Sequence, residues 1–412
     1  MLRPPFVDET VCRALLFALP PALYLAPLAA AWLLPLAAAA IAWLAYEERV
    51  LDLCGALVRG WFLLPLVLVL AASCFWAPDR QASALLAVRL TCLLAAGTVL
   101  AGTLGRLARP ILLSLLVALG SGMVVAGVAV AVDLVAGTPW VKLLHGAGGV
   151  PEGDFYSRGA VFQGLLATPL AIALWRAGEQ RLAAGQWMAS AASVLLGVQL
   201  AAKLALVCGL VAGVAVLGLP LLRWVVPAAI VIGSIGLPWA LPVDLTAQQG
   251  CWLIQHKPSG MHRLLIWNWV DARIRERPAL GWGLDAARRM PGGQERVDLR
   301  RCDDPPAVRP RLSSEILPLH PHNAALQIWL ELGGLGIAAA VFGVVAASVT
   351  RMRALAGPEA APLAAVLAAG AAAAMLSFGI WQEWWVAVLC IGLAIGNAGS
   401  AIGTLAAQDP AA

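Results

Sequence analysis

The sequence predicts an all-α, polytopic integral membrane protein of about twelve transmembrane helices. Three observations carry that prediction. Of 412 residues, 61% are hydrophobic and only 12% are charged, with a mean hydropathy of +0.83; a soluble chain has about a quarter of its residues charged. Apolar stretches of about 17–25 residues recur, long enough to cross ~30 Å of hydrocarbon, and lipid requires each crossing to be a helix because no water is there to satisfy the backbone. Arginines gather in alternate links, as the positive-inside rule requires.

Crossings are expected at about 14–27, 29–46, 61–76, 84–104, 111–136, 159–175, 186–202, 204–220, 224–240, 322–349, 361–379 and 384–405. From an inside N-terminus, the links with Arg49, Arg59, Arg106, Arg109, Arg176, Arg181, Arg223, Arg351 and Arg353 all fall on the cytoplasmic side. No cleavable signal peptide is evident after Arg13. The chain then divides into spans one to nine (1–240), a long outer segment (241–321) and spans ten to twelve (322–412).

The outer segment holds twelve Lys or Arg and nine Asp or Glu, and a loop this long is exempt from the charge bias. Met261 to Arg277 reads as an amphipathic helix, with Ile266, Val270 and Ile274 at helical spacing and Trp267 and Trp269 alongside; such a helix can lie on the membrane surface. Residues 288–311 are charged and Pro-rich, which predicts a mobile stretch. Cys251 and Cys302 fall in this segment and can pair if their Cα atoms approach in an oxidising compartment. The other six cysteines lie in or near apolar segments. A net charge of +5 in such a chain points to loop topology and anionic partners, and nothing resembles a nucleic-acid-binding module.

The chemistry concentrates where the polar segment meets span ten, at His320-Pro321-His322-Asn323. Asn is a favoured helix cap, so His322 sits at a helix N-terminus, where the dipole disfavours imidazolium and attracts anions. It is the candidate base; the plainer reading is an interfacial cap. His320, beyond Pro321, is expected in the solvated loop as a supporting residue. Asn323, Gln327 and Glu331 follow at four-residue intervals as one polar stripe, a tie between helices, with Glu331 the clear charge inside a span. Gly333, Gly334 and Gly336 then permit close helix packing. Arg158, Arg263 and Lys203 all fall at the outer interface, and guanidinium forks suit phosphate oxygens better than an ammonium does. Together they suit a lipid-linked pyrophosphate; singly, each reads as a headgroup anchor. No Walker loop, metal-spaced His/Cys cluster or Gly-x-Ser-x-Gly elbow is present, so neither metal nor cofactor is expected.

His322, Asn323, Gly333 and Gly336 resemble the His-Asn-(nine residues)-Gly-x-x-Gly pattern of the O-antigen ligase and polymerase family. Arg263 with Trp267, then Pro278 and Gly281-Trp282-Gly283, are similar to its Arg-x-x-x-Trp and Pro-x-x-Gly-x-Gly run. Arg158-Gly159 with Pro169 resembles its earlier arginine motif. One departure is Lys203, where the family often has a Ser-Arg-Gly type sequence. The resemblance implies a metal-independent, inverting GT-C glycosyltransferase of the bacterial inner membrane, active on the periplasmic side in lipopolysaccharide biosynthesis. The implied partners are a glycan on undecaprenyl pyrophosphate as donor and lipid A–core as acceptor, with His322 as base and Arg158, Arg263 and Lys203 on the pyrophosphate. An O-antigen polymerase and a protein O-oligosaccharyltransferase remain open within the family. A membrane transporter is the alternative of another class; it would predict further intramembrane charges and internal repeats.

Overall fold

The computed structural model describes residues 8–145, 155–305, 308–355 and 357–407. In chain order its helices are α1 (Glu9–Leu25), α2 (Ala30–Glu47), α3 (Leu53–Val58), α4 (Leu64–Ser73), α5 (Arg80–Leu104), α6 (Arg109–Val135), α7 (Pro139–His145) and α8 (Ser157–Arg176). Then come α9 (Gln180–Leu196), α10 (Leu200–Gly218), α11 (Val225–Gly236), α12 (Ala247–His256) and α13 (Pro258–Glu276). A two-stranded antiparallel hairpin of β1 (Arg296–Leu299) and β2 (Leu312–Glu315) precedes α14 (Ala324–Ala354), α15 (Ala361–Ala374) and α16 (Glu383–Ala407). The protein is an all-α polytopic membrane protein. Among the described residues, nine helical stretches are long and apolar enough to cross a membrane. They fall on nine of the expected crossings. The other three expected crossings fall on α1, on Trp61–Ser73 and on α9, each 17 residues or shorter.

α8 forms the centre. All but one of residues 159–174 are buried, so its polar groups must be answered by neighbouring helices. Ser190 on α9 donates to Gln163 Oε1 (2.7 Å), Gln163 donates to the Met123 carbonyl on α6 (3.3 Å), and Gln186 donates to the Ala167 carbonyl (2.8 Å). That inward polarity explains the low hydropathy of α9: its glutamine and serines replace water with partner helices. Gly159 is the point where α1 crosses, because a Cβ there would lie 2.4 Å from the Tyr24 ring.

The connections gather into two faces. On one, Asp52 pairs with Arg106 (3.1 Å) and Arg59 (3.5 Å), and Arg176 with Glu359 (2.7 Å). On the other, the links after α4, α9 and α15 meet the 241–321 segment and span ten. Ser83 donates to the Leu284 carbonyl (2.7 Å), Trp76 to the Leu280 carbonyl (3.2 Å), and Gln199 to Ser377 (3.2 Å).

Several expectations for the polar segment change. The Ile266, Val270 and Ile274 stripe of α13 is buried, but against Leu326, Leu330 and Ile337 of α14 and Leu317, not on a membrane surface. The stretch from 288 to 311 carries one strand of the hairpin, and a Cys251–Cys302 disulfide (Cα–Cα 5.7 Å) ties it to α12. The sequence also reads Gly137 to Ser157 as a loop with a Gly-rich turn, of which residues 146–154 lie outside the described residues. Glu331 is also not alone among charges within helices. Arg89, two turns into α5, pairs with Glu383 at 2.9 Å, and the buried Asp133 of α6 accepts from Tyr156 (2.8 Å) and the Trp140 N–H (2.8 Å).

Candidate active site

α14 begins at Ala324, with Asn323 in extended geometry as its cap and Asn323 Oδ1 accepting from the Leu326 N–H at 3.0 Å. His322 therefore stands two residues outside the helix. Its φ is +56°, a left-handed conformation uncommon for a residue with a side chain. Such strain persists only where surroundings impose it. Trp267 supplies one constraint, donating to the Pro321 carbonyl (2.9 Å), and the Met375 carbonyl receives Asn323 Nδ2 (3.2 Å). The Arg263-x-x-x-Trp267 spacing thus places one turn of α13 against the His-Pro-His-Asn turn: the tryptophan holds its backbone, and the Arg263 charge acts on both rings.

Hydrogen bonding distinguishes the two histidines. His322 Nδ1 lies 2.6 Å from the Ser377 carbonyl. A carbonyl only accepts, so Nδ1 carries the proton and Nε2 keeps a free lone pair. His320 Nδ1 instead accepts the His322 backbone N–H at 3.2 Å, which spends its lone pair on structure. His320 is buried, against Gly379, and not in the solvated loop. Burial, the neighbouring His322 and the Arg288 and Arg263 guanidinia push its pKa down to about 3. His322 is also pushed below 6.5, first by burial and then by Arg263 and His262, against the opposing Ser377 carbonyl. Desolvation, more than the helix dipole, keeps the ring neutral.

Neither Arg263 nor Arg158 has a carboxylate partner among the described residues. Arg263 is half-buried, which lowers its pKa, and its field depresses both histidines. Arg158 lies over the Trp384 ring at 5.6 Å, and Trp384 packs edge-on against Phe378, the neighbour of Ser377. Lys203 sits in the first turn of α10, and no hydrogen bond or ion pair joins its ammonium to these groups among the described residues; Gln199, one turn earlier, reaches Ser377 instead.

The polar stripe ties α14 to loops and not to another helix. Gln327 Oε1 accepts from the Ile380 N–H (3.0 Å), and Gln327 Nε2 donates to Glu331 Oε1 (3.0 Å). Glu331 Oε2 accepts from the Asp285 N–H at 2.6 Å, and Asp285 in turn holds Arg288 (2.8 Å). Gly333 breaks the helix at φ +63°, ψ −161°, and the Pro278–Gly283 strand of chain fills the break. Gly334 N–H donates to Pro278, Leu335 to Ala279, Trp282 to Leu330 and Gly283 to Glu331, at 2.7–3.1 Å. The expected close helix packing at these glycines is instead an interlock of two backbones, since backbone freed inside a membrane protein must find new partners. The sequence reading missed Ser377, Met375 and Ile380, which act through backbone atoms and leave no residue-type signal. It also missed Asp285; its φ of +61° follows a Gly-Trp-Gly-Leu run that signals a turn.

Residues 155–341 match the family described as O-antigen ligase. The matched stretch is under half of the 412-residue chain. Arg158, Lys203, Arg263, both histidines and the whole interlock lie inside the matched stretch, whereas Met375–Trp385 lies beyond it. Curated relatives named "Putative polysaccharide ligase" agree. One from Rickettsia conorii is 33% identical over 135 residues, covering 32% of this chain and 29% of the relative. One from Rickettsia prowazekii is 34% identical over 137 residues, covering 32% and 30%. The matches thus span under a third of these relatives' length.

Proposed function

We propose that the protein is an O-antigen ligase of the bacterial inner membrane, working at the periplasmic face in lipopolysaccharide biosynthesis. It transfers a glycan from undecaprenyl pyrophosphate to a sugar hydroxyl of lipid A–core. The observation that carries this reading is the free Nε2 of a strained His322 held neutral by burial and by the Arg263 charge, with neither Arg263 nor the Trp384-stacked Arg158 having a carboxylate partner among the described residues. His322 Nε2 takes the acceptor hydroxyl's proton, and the oxygen attacks the anomeric carbon from the face opposite the pyrophosphate. The bond from that carbon to the pyrophosphate oxygen breaks, with inversion. Arg158 and Arg263 stabilise the charge gathering on the departing pyrophosphate, with Lys203 as a third cation, because donors aimed at developing charge act most strongly in a site that excludes water. The donor brings its own activated leaving group, so neither nucleotide nor metal enters the reaction.

The test is transfer from the lipid-linked donor to lipid A–core by purified protein with chelator present. His322→Ala should lower the rate by about 10²–10⁴ at equal folded amounts. Full activity in that variant reduces His322 to a helix cap. Extension of the lipid-linked glycan, or glycan on Ser or Thr of a protein, with no transfer to lipid A–core, would move the reading to a polymerase or an oligosaccharyltransferase.

A further inference from the structure

Beside the interlock, a cavity of about 380 Å³ opens between the turn after α11, α13 and α14. Pro278 and Gly334 form its floor, and Trp239, Trp329, Asp271 and Arg275 line the rest. Its size is in the range of small-molecule sites, at roughly 300–1,000 Å³. None of the four side chains belongs to the proposed transfer chemistry.

Their hydrogen bonds leave one acceptor unspent. Asp271 is 3% exposed. Its Oδ2 accepts from Arg275 Nε at 2.8 Å, while its Oδ1 is buried with no partner among the described residues. Buried carboxylate oxygens normally receive a donor. Arg275 Nη2 is committed to the Pro238 and Leu241 carbonyls at 3.3 and 3.2 Å, and none of its nitrogens reaches Asp271 Oδ1. Trp329 meets Trp239 edge-to-face at 5.6 Å, with its own N–H given to the Ser234 carbonyl. Trp239 is held at one edge and is 69% exposed.

Charge narrows the occupant. Asp271 repels a phosphate headgroup, and Arg275, already paired to it, removes the attraction for an ammonium. What fits is a neutral ring with an apolar face and hydroxyl donors. We propose that this cavity binds an uncharged pyranose ring of a glycan, stacked on Trp239 with a hydroxyl donating to Asp271 Oδ1. The site is separate from the transfer centre and rests on the glycosyltransfer reading only for the choice of probes. It would hold a sugar remote from the reacting bond.

Saturation-transfer NMR with the full chain in phosphatidylcholine nanodiscs, which present no sugar headgroups, reads the contact directly and needs no turnover. The probes are neutral glycan released by mild acid from the lipid-linked donor, core oligosaccharide released from lipopolysaccharide, glycerol phosphate and ethanolamine. Saturation of one of the two sugars and not the other assigns the site to donor or acceptor. The signal should survive His322→Ala and weaken about tenfold or more in Trp239→Ala, an exposed position whose truncation spares the core. Asp271→Asn, which keeps the shape, should weaken it as well. A sugar signal unchanged in Trp239→Ala overturns the proposal, as does no signal from either sugar. Preference for ethanolamine or glycerol phosphate would make the cavity a lipid-headgroup site instead.

Discussion

Replacing Gly333 with alanine tests whether the interlock builds the site. Its φ +63°, ψ −161° backbone lies in a region open essentially to glycine, and a side chain there costs about 1–3 kcal/mol. The added Cβ would stand 2.5 Å from Ala279 C and O and 2.6 Å from Leu280 N. These are backbone atoms, so no rotamer change relieves the overlap and the Pro278–Gly283 chain must withdraw. Withdrawal forfeits four backbone hydrogen bonds, each contributing about 0.5–1.5 kcal/mol. Even the loss of two makes the local cost ~3 kcal/mol, enough to open the loop while the ties of α8 to α6 and α9 stay in place. Hydrogen exchange should therefore show protection over residues 278–285 reduced by about a hundredfold, while α8 peptides stay protected. Glycan transfer should fall with it, because Glu331, which holds Gln327, loses the Asp285 N–H. Gly281→Ala should behave alike, its Cβ meeting Glu331 C at 2.4 Å. Gly185→Ala, with nothing within 4 Å, should be neutral or gain up to about 1 kcal/mol. Wild-type protection at 278–285 together with wild-type transfer in Gly333→Ala would refute the interlock's role.

Other outcomes follow from the histidines and the disulfide. His320→Asn, which keeps an acceptor where Nδ1 stood, should retain most transfer, whereas His320→Ala leaves the His322 N–H unpaired and should lose about tenfold or more; equal rates would mean that His320 does not hold the turn. Because His322 is depressed below 6.5, transfer should persist as pH falls through that value and fail only when Nε2 takes a proton; a half-maximal pH above 6.5 contradicts the assignment. His320 is neutral when folded and ordinary when unfolded, so its contribution to stability is complete above pH 6.5 and lost as pH falls toward about 3. The loss should reach about 1.4 kcal/mol at pH 5.5, and the acid dependence of thermal unfolding should flatten in His320→Asn. Reduction of Cys251–Cys302, which closes a separation of 51 residues, should loosen the hairpin segment by up to about 4 kcal/mol, read as increased proteolysis within 288–311 and unchanged cleavage of the helical bundle.

What the sequence could disclose depended on whether a feature resides in side chains. Hydropathy found the helices because burial in lipid demands a long apolar run, and it weakened at α9, where Gln186, Ser190 and Ser193 turn inward. The stripe of Ile266, Val270 and Ile274 revealed a buried face, but periodicity alone does not say what covers it; α14 does, not a membrane surface. Asn323 was legible as the cap, and His322 as a candidate base, from residue type and position. The choice between two histidines was not, because it is made by two backbone groups: the Ser377 carbonyl, 55 residues away, and the N–H of His322 itself. Any residue could supply those atoms. Likewise, Gly333 and Gly281 could be seen as glycines, but their reason is mutual, each leaving room for the other segment's backbone. A pattern that specifies both glycines with a proline ahead of one is therefore a statement about two segments in contact, and Glu331 and Gln327 carry that contact to Ile380, next to the Gly379 against His320.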